Sequence, residues 1–313
     1  MRRPRVLTGL TAPVRVTRAA VTVGVFDGVH RAHQQLIRTT IRMARRLRAT
    51  SVVVTFDPDP QAVLHPAQAH PALMPLDERL RLLAEFGVDF LWVIPFTRRF
   101  ARVTAQQFVT RILVRRLRAA ALIVGASFLF GRNRRGDMTV LQALGPRHGM
   151  RVVPVRNIRL GAAPISSSRI RQCIADGQLA EARRLLGRPP ALYGTVVRGM
   201  GRGRRLGFPT ANIRVVAGVV PPRGVYAVAL RPAGSGAVWR GVMNVGVRPT
   251  FGPGPVVCEV HILGWPGTLL RRSVSVSLVA RLRGERCFES VAALRRQIRR
   301  DVLRVRRLLR HLP

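Results

Sequence analysis

The chain has 313 residues, 47% of them hydrophobic and 22% charged, which excludes a disordered or fibrous polypeptide and leaves room for two domain cores. Basic residues outnumber acidic ones 54 to 14, for a formal charge of +40, and every basic residue counted there is an arginine. No apolar run approaches the ~18 residues needed to span a bilayer, and Cys173, Cys258 and Cys287 lack any CxxC spacing, so buried reduced thiols in a cytoplasmic protein are expected rather than disulfides or a zinc site.

A charge of this size fits a polyanionic partner such as nucleic acid, bound non-specifically. It also fits a coding bias that places arginine on every solvated face, and the scatter of arginines along the chain favours that reading. The opening stretch MRRPRVLTGLTAPVRVTRAA is basic but has no continuous apolar segment, so no signal peptide is read.

From residue 20 onward the pattern alternates. AVTVGVF (20–26), SVVVTF (51–56), DFLWVIPF (89–96), AALIVGA (120–126) and RVVPV (151–155) read as buried strands. Between them, HQQLIRTTIRMARRL, DERLRLLAEFG and AQQFVTRILVRRL carry apolar residues at helical spacing. Such alternation predicts an α/β domain with a Rossmann-like parallel sheet, covered on both faces and binding its ligand at the carboxyl ends of the strands.

VGVFDGVHRAHQ (23–34) leaves the first strand and opens the first helix. Gly24 and Gly28 let the backbone approach a ligand. His30 and His33, three residues apart, share one face of the first turn, where a helix N-terminus favours anions. The pair suits attack on the α-phosphate of ATP, a reaction in which a protein positions and neutralises. Taken alone it is more often a solvated helix start. In PISSSRIRQCI (164–174), Ser166, Ser167 and Ser168 precede a helix and can either cap it or hold a phosphate, with Arg169 and Arg171 adding charge. That helix is predicted over about 168–186, stopped by Gly187 and followed by a Pro189–Pro190 linker. The domains are accordingly set at 1–187 and 188–313.

Beyond the linker, LYGTVVRG, GVYAVAL, VWRGVMNVG, VVCEVHIL and SVSVSLVAR are strands separated by Gly and Pro, which predicts a small antiparallel barrel. Val291, Leu294, Ile298, Val302, Val305 and Leu309 mark a C-terminal amphipathic helix. Just after the first of these strands comes GRGRRLGFPTANI (201–213). Gly201, Gly203 and Gly207 form a flexible cradle, and Pro209 presents Thr210 and Asn212, hard oxygen donors suited to Mg²⁺ shared with nucleotide phosphates. By itself the stretch is also an ordinary Gly-rich turn. NVGVRPTFG (244–252) is a second such loop. Glu259 stands between apolar residues of a strand, either paired with an arginine or acting as a base at a substrate hydroxyl.

Taken in order, VGVFDGVHRAHQ, VVVTFDPDP, LMPLDERLRLLAEFGVDFLWVIPF, VGASFLFGRNRRGD, PISSSRIRQCI, GFPTANI, NVGVRPTFG, CEVHIL and LVARLRGERCFESVAALRRQIRRDV resemble the bacterial bifunctional riboflavin kinase/FAD synthetases over nearly the whole chain. The resemblance implies an N-terminal nucleotidyltransferase-like FMN adenylyltransferase domain and a C-terminal six-stranded antiparallel β-barrel riboflavin kinase domain with a final helix. It implies riboflavin and FMN as substrates, ATP as co-substrate, and Mg²⁺. By the same resemblance His30 and His33 handle the ATP phosphates, while Gly24, Phe26, Gly28, Ser167, Ser168 and Arg171 complete that nucleotide site. Gly203, Gly207, Pro209, Thr210 and Asn212 serve Mg-ATP in the kinase, Thr210 and Asn212 holding the metal, and Glu259 is the base. The chain departs from the family pattern at Val25, Ala32, Asp59, Ala126, Ser127 and Pro164 around the first site, and at Met200 and Gly264–Trp265 around the second. Two alternatives therefore stand beside the bifunctional enzyme: a kinase with weak or lost FAD synthesis, and a basic nucleic-acid-binding relic.

Overall fold

The computed structural model describes residues 4–10, 16–156, 158–161, 163–249, 253–265 and 267–310, with the backbone alone at 202, 248, 249 and 253–255. Two compact units emerge: Met1–His70 with Leu76–Ser166, and Pro71–Pro75 with Ser167–Pro313.

The first unit holds β1 (Arg5–Thr8), β2 (Ala19–Val23), α1 (Arg31–Leu47), β3 (Thr50–Asp57), α2 (Pro60–Leu64), α3 (Leu76–Ala84), β4 (Phe90–Pro95), α4 (Ala105–Gln107), β5 (Ala119–Gly125), α5 (Met138–Arg147) and β6 (Arg151–Val155), with a small hairpin of β7 (Arg159–Leu160) and β8 (Ala163–Pro164). Its parallel sheet runs β1-β4-β3-β2-β5-β6. The apolar runs of β2, β3 and β4 are buried because helices cover both faces. Trp92, Phe56, Phe108 and Leu122 belong to the core on one of those faces. Chain order reverses between β2 and β5, and at such a switch point a crevice opens outside the carboxyl ends of the strands.

β1 was not among the expected strands. It has four residues, mostly exposed, and shows no apolar run; it is the edge strand, paired only with β4, and Trp92 Nε1 donates to Gly9 just beyond its end at 2.8 Å. The helix expected over 105–117 begins with a Thr104–Gln107 capping box and then widens into a π-helix, Phe108–Arg116.

The single helix expected at 168–186 is two, α6 (Ser167–Ala175) and α7 (Leu179–Leu186). Gly177, at φ +77°, takes the left-handed conformation that breaks it. Both belong to the second unit with β9 (Ala191–Val197), α8 (Arg202–Arg205), β10 (Ala211–Ala217), β11 (Gly224–Pro232), β12 (Trp239–Pro249), β13 (Pro253–Ile262), β14 (Ser273–Arg283) and α9 (Val291–Leu308). The six strands close an antiparallel barrel in the order β10-β13-β12-β11-β14-β9. β10 is the strand the reading of the barrel left inside a loop, because TANI looks like the end of a turn.

α9 packs Val305, and its following residue Leu309, against Val225, Val242 and Leu282. The Arg283 guanidinium donates to Asp301 at 2.8 and 3.0 Å and ties β14 to the helix. Val291, expected on the apolar stripe, is 62% exposed. Cys173 and Cys258 are buried as expected, but Cys287 is exposed.

Candidate active sites

In the first unit the site is built on the turn between β2 and α1. Phe26 (φ +55°) and Gly28 (φ +81°) both have left-handed backbone, so the chain reverses sharply and delivers His30 as the N-cap of α1. His30 Nδ1 accepts the His33 backbone N–H at 3.3 Å. That bond leaves Nε2 of a neutral His30 ring as its N–H donor. The two imidazoles stack, with centroids 3.5 Å apart and planes 16° from parallel. Phe26 is fully buried and meets the His33 ring edge-on at 5.1 Å. It therefore supports the histidines from within, and Gly24, whose added Cβ would lie 3.3 Å from the Phe26 ring, makes room for that ring rather than for a ligand.

Burial, then the charges of His30 and Arg79, hold the His33 pKa well below the ordinary 6.5. His33 is thus a neutral imidazole, and its Nδ1 is buried with no hydrogen-bond partner among the described residues. The pair offers ring N–H groups to an anion, and His33 does so as a neutral ring. Asp59, the departure with the unfavourable sign, has local work: its carboxylate caps α2 by accepting the Gln61 N–H at 2.8 Å.

Ser167, Ser168 and Arg171 lie in the second unit, at the start of α6. Ser168 is exposed and Ser167 half-buried. Arg169 is committed to Glu181 at 2.7 Å, so its charge serves the α6–α7 pairing. Arg171 Nε donates to the Pro71 carbonyl at 2.9 Å.

The kinase candidates converge on the outer face of the barrel. The stretch expected to be a loose cradle is closed: α8 is a single turn, followed by Gly207 (φ +82°) and a Phe208 N–H bond to Gly203 of 2.8 Å. An added Cβ on Gly203 would lie 2.4 Å from the Phe208 carbonyl and 3.0 Å from Thr210 Oγ1. Thr210 immediately precedes β10, and Asn212 is the strand's second residue. Asn212 is buried, and it is the direct partner of Glu259 on β13, which in turn pairs with Asn244 on β12. Gly199 leaves the space that the Asn212 amide fills; a Cβ there would stand 2.1 Å from Nδ2. Glu259 is half-buried, and among the described residues no arginine pairs with it. The ion-pair explanation of this carboxylate is therefore removed. In the NVGVRPTFG loop, Thr250, Phe251 and Gly252 lie outside the described residues.

Three further residues belong to this neighbourhood. His261 follows Glu259 by two and so shares its face; its Nδ1 lies 2.9 Å from the Pro209 carbonyl, and its ring meets Phe208 edge-on. Glu285 crosses over Gly246, beside Asn244. The strand alternation in CEVHIL was signal enough for His261, and Asn244 opens the NVGVRPTFG stretch already singled out; nothing in the sequence pointed to Glu285. Two arginine-lined clefts of about 590 and 610 Å³ lie elsewhere, around Trp239 and Arg307 and around Arg18 and Arg48, and take in none of these residues.

Among the described residues no cluster of His, Cys, Asp and Glu could hold a metal by itself, and no helix is long and apolar enough to cross a membrane. Comparison with known proteins then supplies the family. The FAD synthetase family model matches residues 13–169 and the riboflavin kinase model residues 186–309. The chain is 40% identical to the bifunctional riboflavin kinase/FMN adenylyltransferase of Escherichia coli K12 over 91% of either chain. It is 36% identical to that of Haemophilus influenzae over 95% of this chain and 97% of the relative. Among solved structures it resembles a macrolide-efflux protein from Streptococcus pneumoniae, with a TM-score of 0.81 and 31% identity, covering 95% of this chain and 98% of the other.

Proposed function

The chain belongs to the bifunctional riboflavin kinase/FMN adenylyltransferase family, and from that premise we propose which of its residues carry the two reactions. It phosphorylates riboflavin with ATP to FMN and adenylylates FMN with a second ATP to FAD and pyrophosphate. The kinase reading rests on one observation above the others: a carboxylate, Glu259, set between Asn212 and Asn244 with no cationic partner among the described residues.

In the kinase, Glu259 accepts the proton of the riboflavin 5′-hydroxyl as its oxygen attacks the γ-phosphorus of ATP and ADP departs. Thr210 and Asn212 supply neutral hard oxygens, which suits a magnesium ion completed by nucleotide oxygens and water rather than a dedicated protein cage. When bound, that ion neutralises charge on the transferring phosphoryl group. His261 and Phe208 hold Pro209, and with it the register of Thr210.

In the adenylyltransferase, an FMN phosphate oxygen attacks the α-phosphorus of ATP and pyrophosphate leaves. His30 and His33 donate ring N–H groups to the phosphates, His33 as a neutral imidazole, and Ser167, Ser168 and Arg171 are the further phosphate ligands. Gly28 shapes the turn. We place the boundary between the two activities at 187/188, near residue 186 where the riboflavin kinase model begins; the long segment of the second compact unit starts earlier, at Ser167. Cytoplasmic residence is supported by three free thiols, one of them exposed.

Incubation with riboflavin and Mg-ATP, then with FMN and Mg-ATP, separates the activities by following FMN, FAD and pyrophosphate. FMN that accumulates without FAD would select a kinase-only enzyme. Absence of both products would overturn the assignment of residues altogether.

A further inference from the structure

Arg79 is buried at 5% exposure, although it stands on a helix whose next arginine, Arg81, faces solvent. Its Nη1 donates to the Val25 carbonyl at 2.7 Å and its Nη2 to Asp57 Oδ1 at 3.1 Å. The Val25 carbonyl also accepts the Thr55 hydroxyl at 2.9 Å. Two donors from two elements thus converge on the residue immediately before Phe26.

The segment they pin is an improbable one. Phe26 and Val29 hold positive φ of 55° and 37° without being glycine, and Gly28 holds 81°. Non-glycine residues persist there only where their surroundings over-determine them. A salt bridge needs only one contact; a guanidinium bound to a carbonyl and a carboxylate at once fixes a distance and an angle between the ends of β2 and β3. Burial lowers the Arg79 pKa, while Asp57, Asp27 and Asp59 work against that shift, so a ring of carboxylates keeps the charge in place. The same charge contributes to holding His33 neutral.

We propose that Arg79 is a positioning residue of the adenylyltransferase site, locking the Val25–Val29 turn through the Val25 carbonyl and Asp57 so that the stacked His30 and His33 rings meet the ATP phosphates. The role rests on the adenylyltransferase reading given above. Arg79 contributes no atom to the reacting groups; it acts through the turn.

The test uses the full-length chain with Arg79→Met, which keeps the length and removes the fork, and Arg79→Lys, which keeps the charge but cannot span both acceptors. FMN adenylylation and riboflavin phosphorylation are assayed on the same preparations, and the histidine ring titrations are followed by NMR. Arg79→Met should lower adenylylation kcat at least tenfold, leave phosphorylation within twofold, and raise the His33 titration. Arg79→Lys should also lose at least fivefold in kcat while the His33 titration stays low, which separates geometry from charge. Full adenylylation by either variant overturns the proposal. If Arg79→Met loses phosphorylation too, the chain has failed to fold, and Arg79→Lys alone decides. If the wild-type chain makes no FAD, the adenylyltransferase reading fails instead; the positioning role then stands or falls on whether Arg79→Lys shifts the His30 and His33 ring resonances.

Discussion

Asn212 and Glu259 are direct cross-strand partners on β10 and β13, and Asn244 continues the row on β12. Residues directly opposite in an antiparallel pair bring their Cβ atoms to within about 5.5 Å. Glu259 is thus flanked by two amides, and among the described residues no guanidinium pairs with it. It is one of several carboxylates without a guanidinium partner among the described residues, in a chain with 54 arginines against 14 acids. A carboxylate with no cationic partner is open to a substrate hydroxyl, which is what the proposed base role asks of it.

Replacing Glu259 by Gln should therefore lower riboflavin phosphorylation by about 10²-fold or more, the usual contribution of a positioned base. The amide has the same shape and no ion pair is lost, so the thermal midpoint should stay within a few degrees of wild type. Turnover near the wild-type rate would reduce Glu259 to a structural carboxylate.

Gly199 offers a test of Asn212 that leaves Asn212 itself in place. Its Cβ would stand 2.1 Å from the amide nitrogen, so Gly199→Ala must displace that side chain. Forcing a methyl group into a packed site costs about 1–3 kcal/mol. The expected result is a rise in the KM for Mg-ATP with little change in FMN adenylylation. An unchanged KM in a folded variant would remove Asn212 from the nucleotide site.

Much of this was legible in the sequence, for identifiable reasons. β3 and β4 are continuous apolar runs because helices bury them on both sides, and such runs are visible without an alignment. β10 was hidden because its first residues, Ala211 and Asn212, double as the end of the PTAN turn. α6 and α7 were fused because helical spacing continues across Gly177, and only the backbone torsion reports the break. The histidine pair was found by spacing, whereas Arg79 was not: a basic residue among many on a helix gives no sign in sequence of which one turns inward.

Asp59 shows how a departure from a family pattern can mislead. A negative charge beside a triphosphate is adverse in principle, yet the Asp59 carboxylate caps α2 and helps hold Arg79. Asp59→His should therefore cost about 0.5–2 kcal/mol of stability, the usual value of an N-cap. FAD formation should not rise. A several-fold gain would mean that the charge itself restrains the reaction and that its structural work is secondary.

The His33 titration gives a prediction whose sign is fixed by the direction of its shift. In the unfolded chain His33 takes up a proton near 6.5; in the folded unit burial, His30 and Arg79 resist that proton to a well lower pH. Between the two values the unfolded state binds more protons, so stability rises with pH there. The contribution is complete above 6.5 and is lost progressively as the pH falls from 6.5 to the folded value. Each unit of separation is worth about 1.4 kcal/mol. Trp92 lies in the core of the α/β unit, while Trp239 and Trp265 lie in the barrel unit. In a Trp239→Phe, Trp265→Phe background, Trp92 fluorescence therefore follows unfolding of the α/β unit alone. The urea midpoint should drop as the pH is lowered from 7.5 through 6, and Asp or Glu titration should add to that drop only at lower pH. His33→Gln cannot take up the proton, so its midpoint should hold steady over the same range even if it starts lower. A wild-type midpoint that is flat across this range, or a His33→Gln midpoint with the wild-type slope, would show that the buried imidazole is not what couples this unit to pH.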